Sequence, residues 1–244
     1  MRMVCLNIRA GGGRRIGAVA EYLDAQNPHT VVLTEWRDGL AGVAVEAWAQ
    51  GRGMHMARTT DGGTANGVFV ASRAPFTAES LRPNVPGAGV LMLARFRRLR
   101  LLACYFPIQR SKAPFFARCS ELAGQESRRP FLLLGDLNTG NQIKDRDPRG
   151  VRYHCAEDFD ALTGAARLTD LWRRNHGDAA REWTWVSHRN NGFRLDHALA
   201  NRRFLAAADP SCRYDHAPRG AFTDHSAIVL DCGGGGDAFL SRLF

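Results

Sequence analysis

Apolar residues in this chain gather into runs of strand length, several of which carry a polar group within them or near an end. Residues 3–8 (MVCLNI), 30–36 (TVVLTEW), 67–73 (GVFVASR), 89–97 (GVLMLARFR), 99–107 (LRLLACYFP) and 131–138 (FLLLGDLN) read as strands. So do EWTWVS (182–187), FRLDHALA (193–200) and SAIVLD (226–231). The break at Arg98 predicts a hairpin. Spacing typical of helices appears in 16–26, around 43–50, in 113–124 and in 155–164, the last two ending on Gly124 and Gly164. Residues 141–153 are polar and basic, a long loop. Strands this continuously apolar predict sheets covered on both faces. No repeat or linker interrupts 1–232, which reads as one domain. Residues 233–244 begin with glycines and read as a flexible tail, either a frayed end or a docking peptide through Leu240, Leu243 and Phe244.

The polar residues inside these runs carry the functional signal. Asp136 and Asn138 end one strand two positions apart, which predicts that both face a pocket at the sheet's carboxyl edge. An Asx turn would use the same residue types. Asn7, Glu35, Tyr105 and Asp196 sit in or at the ends of other apolar runs, and Asp224-His225 opens the last one. A core strand excludes such groups unless they are paired or coordinated. Any one of them has a structural explanation; the recurrence is hard to explain by packing.

The formal charge of +9 and pI near 9.9 suit a polyanionic partner, nucleic acid first, although a solvated arginine-rich surface gives the same balance. Nearly all the positive charge is arginine. The six cysteines form no Cys-x-x-Cys pair, so a zinc site is not indicated. No apolar run approaches the roughly 18 residues of a membrane span, and the start is too quickly polar for a signal peptide. Reduced thiols in a cytoplasmic protein are expected.

The ordered set Asn7, Glu35, Tyr105, Gly-Asp136-x-Asn138, Arg194-Leu-Asp196 and Asp224-His225-Ser resembles the endonuclease/exonuclease/phosphatase superfamily over about residues 3–231. The stretch from Asp170 to Ala200 is most similar to the exonuclease III branch. The resemblance implies a four-layer α/β sandwich, two mixed sheets face to face with helices outside. It also implies that Glu35, with Asn7 and Asp224, holds Mg2+ or Mn2+. Asp136 would activate the attacking water and Asn138 position it. His225, polarised by Asp196, would stabilise the phosphate charge, and Tyr105 would bind a phosphate oxygen or the leaving group.

Two departures shape the expectation. Arg9 stands where relatives carry Asp or Asn, and the 103–119 region is short for the branch. A core with short clamping loops should favour flexible single strands over stiff duplex. Arg110 and Lys112, with Arg118, Lys144, Arg146, Arg149 and Arg152, are expected phosphate contacts. Phe193 and Trp185 are either core or part of a substrate pocket. The expected function is a monomeric, metal-dependent DNA nuclease of relaxed sequence preference that nicks plasmid, with RNA left open as a substrate. An abasic-site endonuclease, a phosphatase and a catalytically silent binding module are the alternatives.

Overall fold

The computed structural model describes residues 1–59, 65–81, 89–164 and 168–233. The C-terminal tail lies outside them from residue 234 on. The chain runs β1 (Arg2–Asn7), α1 (Ile16–Gln26), β2 (Thr30–Trp36), α2 (Leu40–Gly51), β3 (His55–Arg58), β4 (Gly67–Ser72), β5 (Thr77–Leu81), β6 (Val90–Arg95) and β7 (Arg100–Tyr105). It continues with α3 (Ala113–Gln125), β8 (Phe131–Asp136), α4 (Ala156–Gly164), β9 (Thr169–Asp170), α5 (Leu171–His176), β10 (Trp185–Val186) and β11 (Gly192–Phe193). The last elements are β12 (Asp196–Ala200), α6 (Arg202–Ala208), β13 (Pro210–Asp215) and β14 (Ala227–Cys232).

Two six-stranded mixed sheets result, ordered β13-β14-β1-β2-β4-β3 and β5-β6-β7-β8-β12-β9. Each is built around one parallel pair, β1 with β2 and β7 with β8. The uninterrupted apolar strands have a physical reason. Along β1, Met3 and Cys5 enter the core between the sheets, while Val4 and Leu6 pack under α1 and α2. Along β8, Leu132 and Leu134 take the inner face, and Leu133 packs under α3 and α4. Both faces are covered, so alternation of side chains leaves no polar side. The expected hairpin at Arg98 forms, with β6 and β7 antiparallel.

All six cysteines are buried free thiols. Among the described residues, no helix is long and apolar enough to cross a membrane.

The topology gathers the polar residues at one end. Asn7, Glu35, Tyr105 and Asp136 lie at the carboxyl ends of the two parallel pairs. Strand β12 runs antiparallel to β8, so its first residue, Asp196, faces Asp136. Strand β14 runs antiparallel to β1, which brings Asp224 and His225 to the same end.

Candidate active site

Tyr105, Asp136 and Asp196 form a straight row across three neighbouring strands. Gly135 makes this row possible. A Cβ there would lie 2.0 Å from the Cys104 carbonyl oxygen on the adjacent strand. Gly135→Ala is therefore expected to separate β7 from β8, move Asp136 and lower the melting temperature by several degrees, read in a thermal melt.

Asp136 is buried, and each of its oxygens has a donor. The Asn138 backbone N–H donates to Oδ1 at 2.8 Å, and Asn7 Nδ2 donates to Oδ2 at 2.9 Å. The first contact is an Asx turn, with Asn138 in the left-handed region at φ 50°. The turn and the pocket are thus one device, because Asn138 also lines the cleft described below. Its side-chain amide donates to the Phe106 carbonyl at 2.9 Å. Burial, then the nearby Asp196 carboxylate, push the Asp136 carboxyl well above the usual range.

Glu35 sits where the pairing of β2 with β4 shifts register, at φ 56°. Such a bulge re-aims a side chain. Its Oε2 accepts the Ala10 backbone N–H at 2.7 Å, and its Oε1 accepts from Asn7 Nδ2 at 3.1 Å. Asn7, fully buried, thus bridges Glu35 and Asp136 through one amide, while its Oδ1 accepts the Arg9 N–H.

His225 Nδ1 lies 2.8 Å from Asp196 Oδ2, both groups buried. Burial opposes a charge on the ring, but Asp196, with Asp136 and Asp224 beyond it, outweighs burial and raises the pKa well above 6.5. The surroundings thus favour the protonated ring. The Thr184 hydroxyl, which nothing in the sequence singles out, accepts the N–H groups of Leu195 and Asp196 at 2.9 and 3.2 Å and fixes the start of β12. Asp224 Oδ2 accepts from Trp185 Nε1 at 3.2 Å. Asn66, also unsignalled, donates to the Tyr105 hydroxyl at 3.0 Å.

The site opens into a cleft of about 340 Å³, behind whose wall Asp136 and Asp196 lie buried. Glu35, Asn138, Asp224 and His225 line one part; Tyr153, Trp185, Phe193 and Leu195 line another. Phe193 packs against Tyr153 and Trp185 with ring centroids 5.8 and 5.7 Å apart. Phe193 is thus buried by its neighbours and still part of the wall.

The expected phosphate contacts divide. Arg152 lines the cleft, and Arg110 is exposed on the single turn 109–112 beside it. Lys112 is no exposed arm: it is 1% exposed, and its ammonium donates to the Asn138 carbonyl. Burial pulls its pKa down to about 8. Arg118, Lys144 and Arg149 form ion pairs with Glu121, Asp178 and Asp147, and Arg146 donates to four backbone carbonyls.

Two donor sets suggest themselves for a divalent cation. Asp136, Asp196 and His225 bring ligand atoms within 4.8 Å of one another. However, the histidine and Asp196 already share a short hydrogen bond, and a hard cation prefers oxygen. Glu35 and Asp224 are half-exposed carboxylates on the cleft wall with lone pairs to spare, and they fit a hard cation better.

Residues 5–225 match the Endonuclease/Exonuclease/phosphatase family. The chain belongs to this family. It is an enzyme of phosphoester hydrolysis, and the family's divalent-metal dependence agrees with the carboxylates in the cleft. The fold is similar to that of the 3′ phosphatase NExo from Neisseria bound to a product DNA hairpin, with a TM-score of 0.81 and 23% identity. It is also similar to NExo described as a 3′-5′ exonuclease from Neisseria meningitidis, with a TM-score of 0.81 and 22% identity. An AP endonuclease from Archaeoglobus fulgidus gives a TM-score of 0.76 at 20% identity. Each comparison covers 96% of this chain and 100% of the other, so the family member spans the full length of all three and is not trimmed relative to them.

Proposed function

We propose that this family member is a divalent-metal-dependent DNA nuclease that hydrolyses phosphodiester bonds in single-stranded or frayed DNA with little regard to sequence. The observation that carries the reading is that Glu35, Asn138 and His225 line one cleft with an aromatic wall, while Asp136 and Asp196 stand buried behind Asn138 and His225, each hydrogen-bonded to its neighbour. A splayed nucleotide stacks on such a wall whatever its base, whereas a base inside a duplex does not reach it. The activities of the NExo and AP endonuclease neighbours agree with DNA as the substrate.

Asp136 takes the proton of the attacking water, its raised pKa suiting a base near neutral pH. Asn7 and the Asn138 N–H hold its carboxylate in place. The His225 imidazolium, kept charged by Asp196, donates to a non-bridging phosphate oxygen as charge builds there. The Tyr105 hydroxyl, oriented by Asn66, hydrogen-bonds the phosphate. Magnesium or manganese, held by Glu35 and Asp224 with Asn7 orienting Glu35, would neutralise the phosphate and stabilise the leaving oxygen. Lys112 acts from beneath, fixing the Asn138 carbonyl.

An abasic-site endonuclease is the second reading. The apolar part of the cleft, Phe193, Leu195 and Trp185, would also accept a sugar without its base. End-labelled single strand, plain duplex, abasic-site duplex and a 3′-phosphorylated strand, each with magnesium, manganese or EDTA, separate the readings on a gel. The single strand is expected to be cut fastest, with no cutting in EDTA. Cutting confined to the abasic duplex would establish the repair reading, and release of the 3′ phosphate alone would make the enzyme a phosphatase.

A further inference from the structure

A second pocket, about 330 Å³, adjoins the cleft. Asp224 lines both, and the successive residues Trp185 and Val186 line one each. Its positive lining comes from two distant segments: Arg9 and Arg15 in the connection between β1 and α1, and Arg219 before β14. The guanidinium planes of two of them are fixed. Arg15 donates to the Phe222 carbonyl at 2.7 Å and to the Arg9 carbonyl at 2.6 Å, and Arg219 donates to the Trp183 carbonyl at 2.6 Å. Carbonyls orient a guanidinium without cancelling its charge. Among the described residues the pocket holds one carboxylate, Asp224, 3.7 Å from Arg9 Nε. Three cations against one anion leave an excess of positive charge in a concave site.

The backbone beneath is unusual. Residues 9–13 all have positive φ, from 50° to 76°. Gly11, Gly12 and Gly13 adopt this readily, but Arg9 and Ala10 do so only because the structure holds them there. The Ala10 N–H is tied to Glu35 and the Arg9 N–H to Asn7, so the turn that carries Arg9 is fastened to two residues of the site.

We propose that this pocket is an anion subsite for a second phosphodiester of the DNA strand, next to the bond that is cut. Planar guanidinium forks suit phosphate oxygens. The cleft and the pocket then read two successive parts of one strand, the nucleotide against the aromatic wall and a neighbouring phosphate among the arginines. The subsite makes the enzyme select oligonucleotides over small phosphate esters. The inference rests on the nuclease reading above for the identity of the strand.

The test uses a short labelled single strand in which one phosphate at a time, other than the one cut, is replaced by an uncharged methylphosphonate. Cleavage in magnesium and binding in EDTA are measured for the intact protein, for Arg219→Ala and for Arg9→Gln. One position is expected to raise KM and Kd about tenfold in the intact protein, as loss of a charged hydrogen bond does, and to have much less effect in either variant. The slope of log affinity against log salt should fall by about one for each arginine removed. Equal effects at every position, or a penalty that persists in both variants, overturns the subsite. If the intact protein cuts no strand but binding in EDTA keeps the position- and arginine-dependence, the subsite stands and the nuclease reading fails. If strands are cut with no such dependence, the nuclease reading stands and the subsite fails.

Discussion

His225→Ala is expected to lower the rate of strand cleavage at neutral pH by about 10²–10³-fold, the usual effect of losing one group that stabilises transition-state charge. The loss should fall on kcat more than on KM, because the imidazolium is matched to charge that develops only as the phosphate is attacked. Asp136→Asn should cost about 10²–10⁴-fold by removing the base while keeping a group of the same shape. Single-turnover gel assays in saturating metal check both. Full activity in either variant would remove that residue from the mechanism. The double variant should be little slower than the worse single one, since the two residues serve one step.

Asp145→Ala is expected to produce the largest loss of stability, about 3–5 kcal/mol. At this chain length that lowers the melting temperature by about 6–20 °C. Asp145 has no exposed surface. It accepts from Arg194 Nε and Nη2 at 2.8 and 3.0 Å, from Arg173, and from the Asn141 backbone N–H at 2.8 Å. Removing it leaves Arg194 fully buried with only half its carboxylate partners, Asp170 remaining. A thermal melt monitored by circular dichroism measures the loss, and Asp145→Asn, which keeps the shape and one acceptor, should lose less. The same network predicts acid sensitivity. Burial raises the carboxyl pKa values of Asp145 and Asp170, but Arg194 outweighs it and holds both below 3.8 in the folded state. Their contribution is therefore complete above pH 4 and is lost as pH falls further. The damage reaches the site, because Arg194 is two residues before Asp196, and Tyr214, within 3.2 Å of Arg194, donates to the Asp196 carbonyl at 2.8 Å.

How much of this was legible in the sequence follows from how each element is buried. Strands β1, β2, β4, β6, β7, β8 and β14 are covered on both faces, and their apolar runs announce them. Strands β3 and β5 are missed because they are mostly exposed edges, HMAR and TAESL, with no apolar period. Strand β13 alternates buried and exposed residues, but PSCRYD hides the pattern behind a proline and short side chains. Helices α5 and α6 are six and seven residues long, too short to show a period. The predicted strand 193–200 breaks at Arg194-Leu195, where the buried guanidinium and the Thr184 hydroxyl redirect the chain.

The site residues were legible for the opposite reason: a carboxylate or amide at the end of an apolar strand is conspicuous, so Asn7, Glu35, Asp136 and Asp196 stand out. Lys112 lines the cleft but lies deeper than a lysine in a polar stretch suggests, since its burial depends on where residue 138 turns. Asn66 and Thr184 are polar residues that nothing in their own sequence marks as functional, and only the assembled sheets bring them to the site.

The six buried thiols have a further consequence. Burial keeps Cys5, Cys104, Cys212 and Cys232 protonated far above neutral pH, and a thiol in that state is a poor nucleophile. An alkylating reagent therefore finds little to attack until the sheets part. The number of labels each molecule carries becomes a clock of its opening, readable by intact mass.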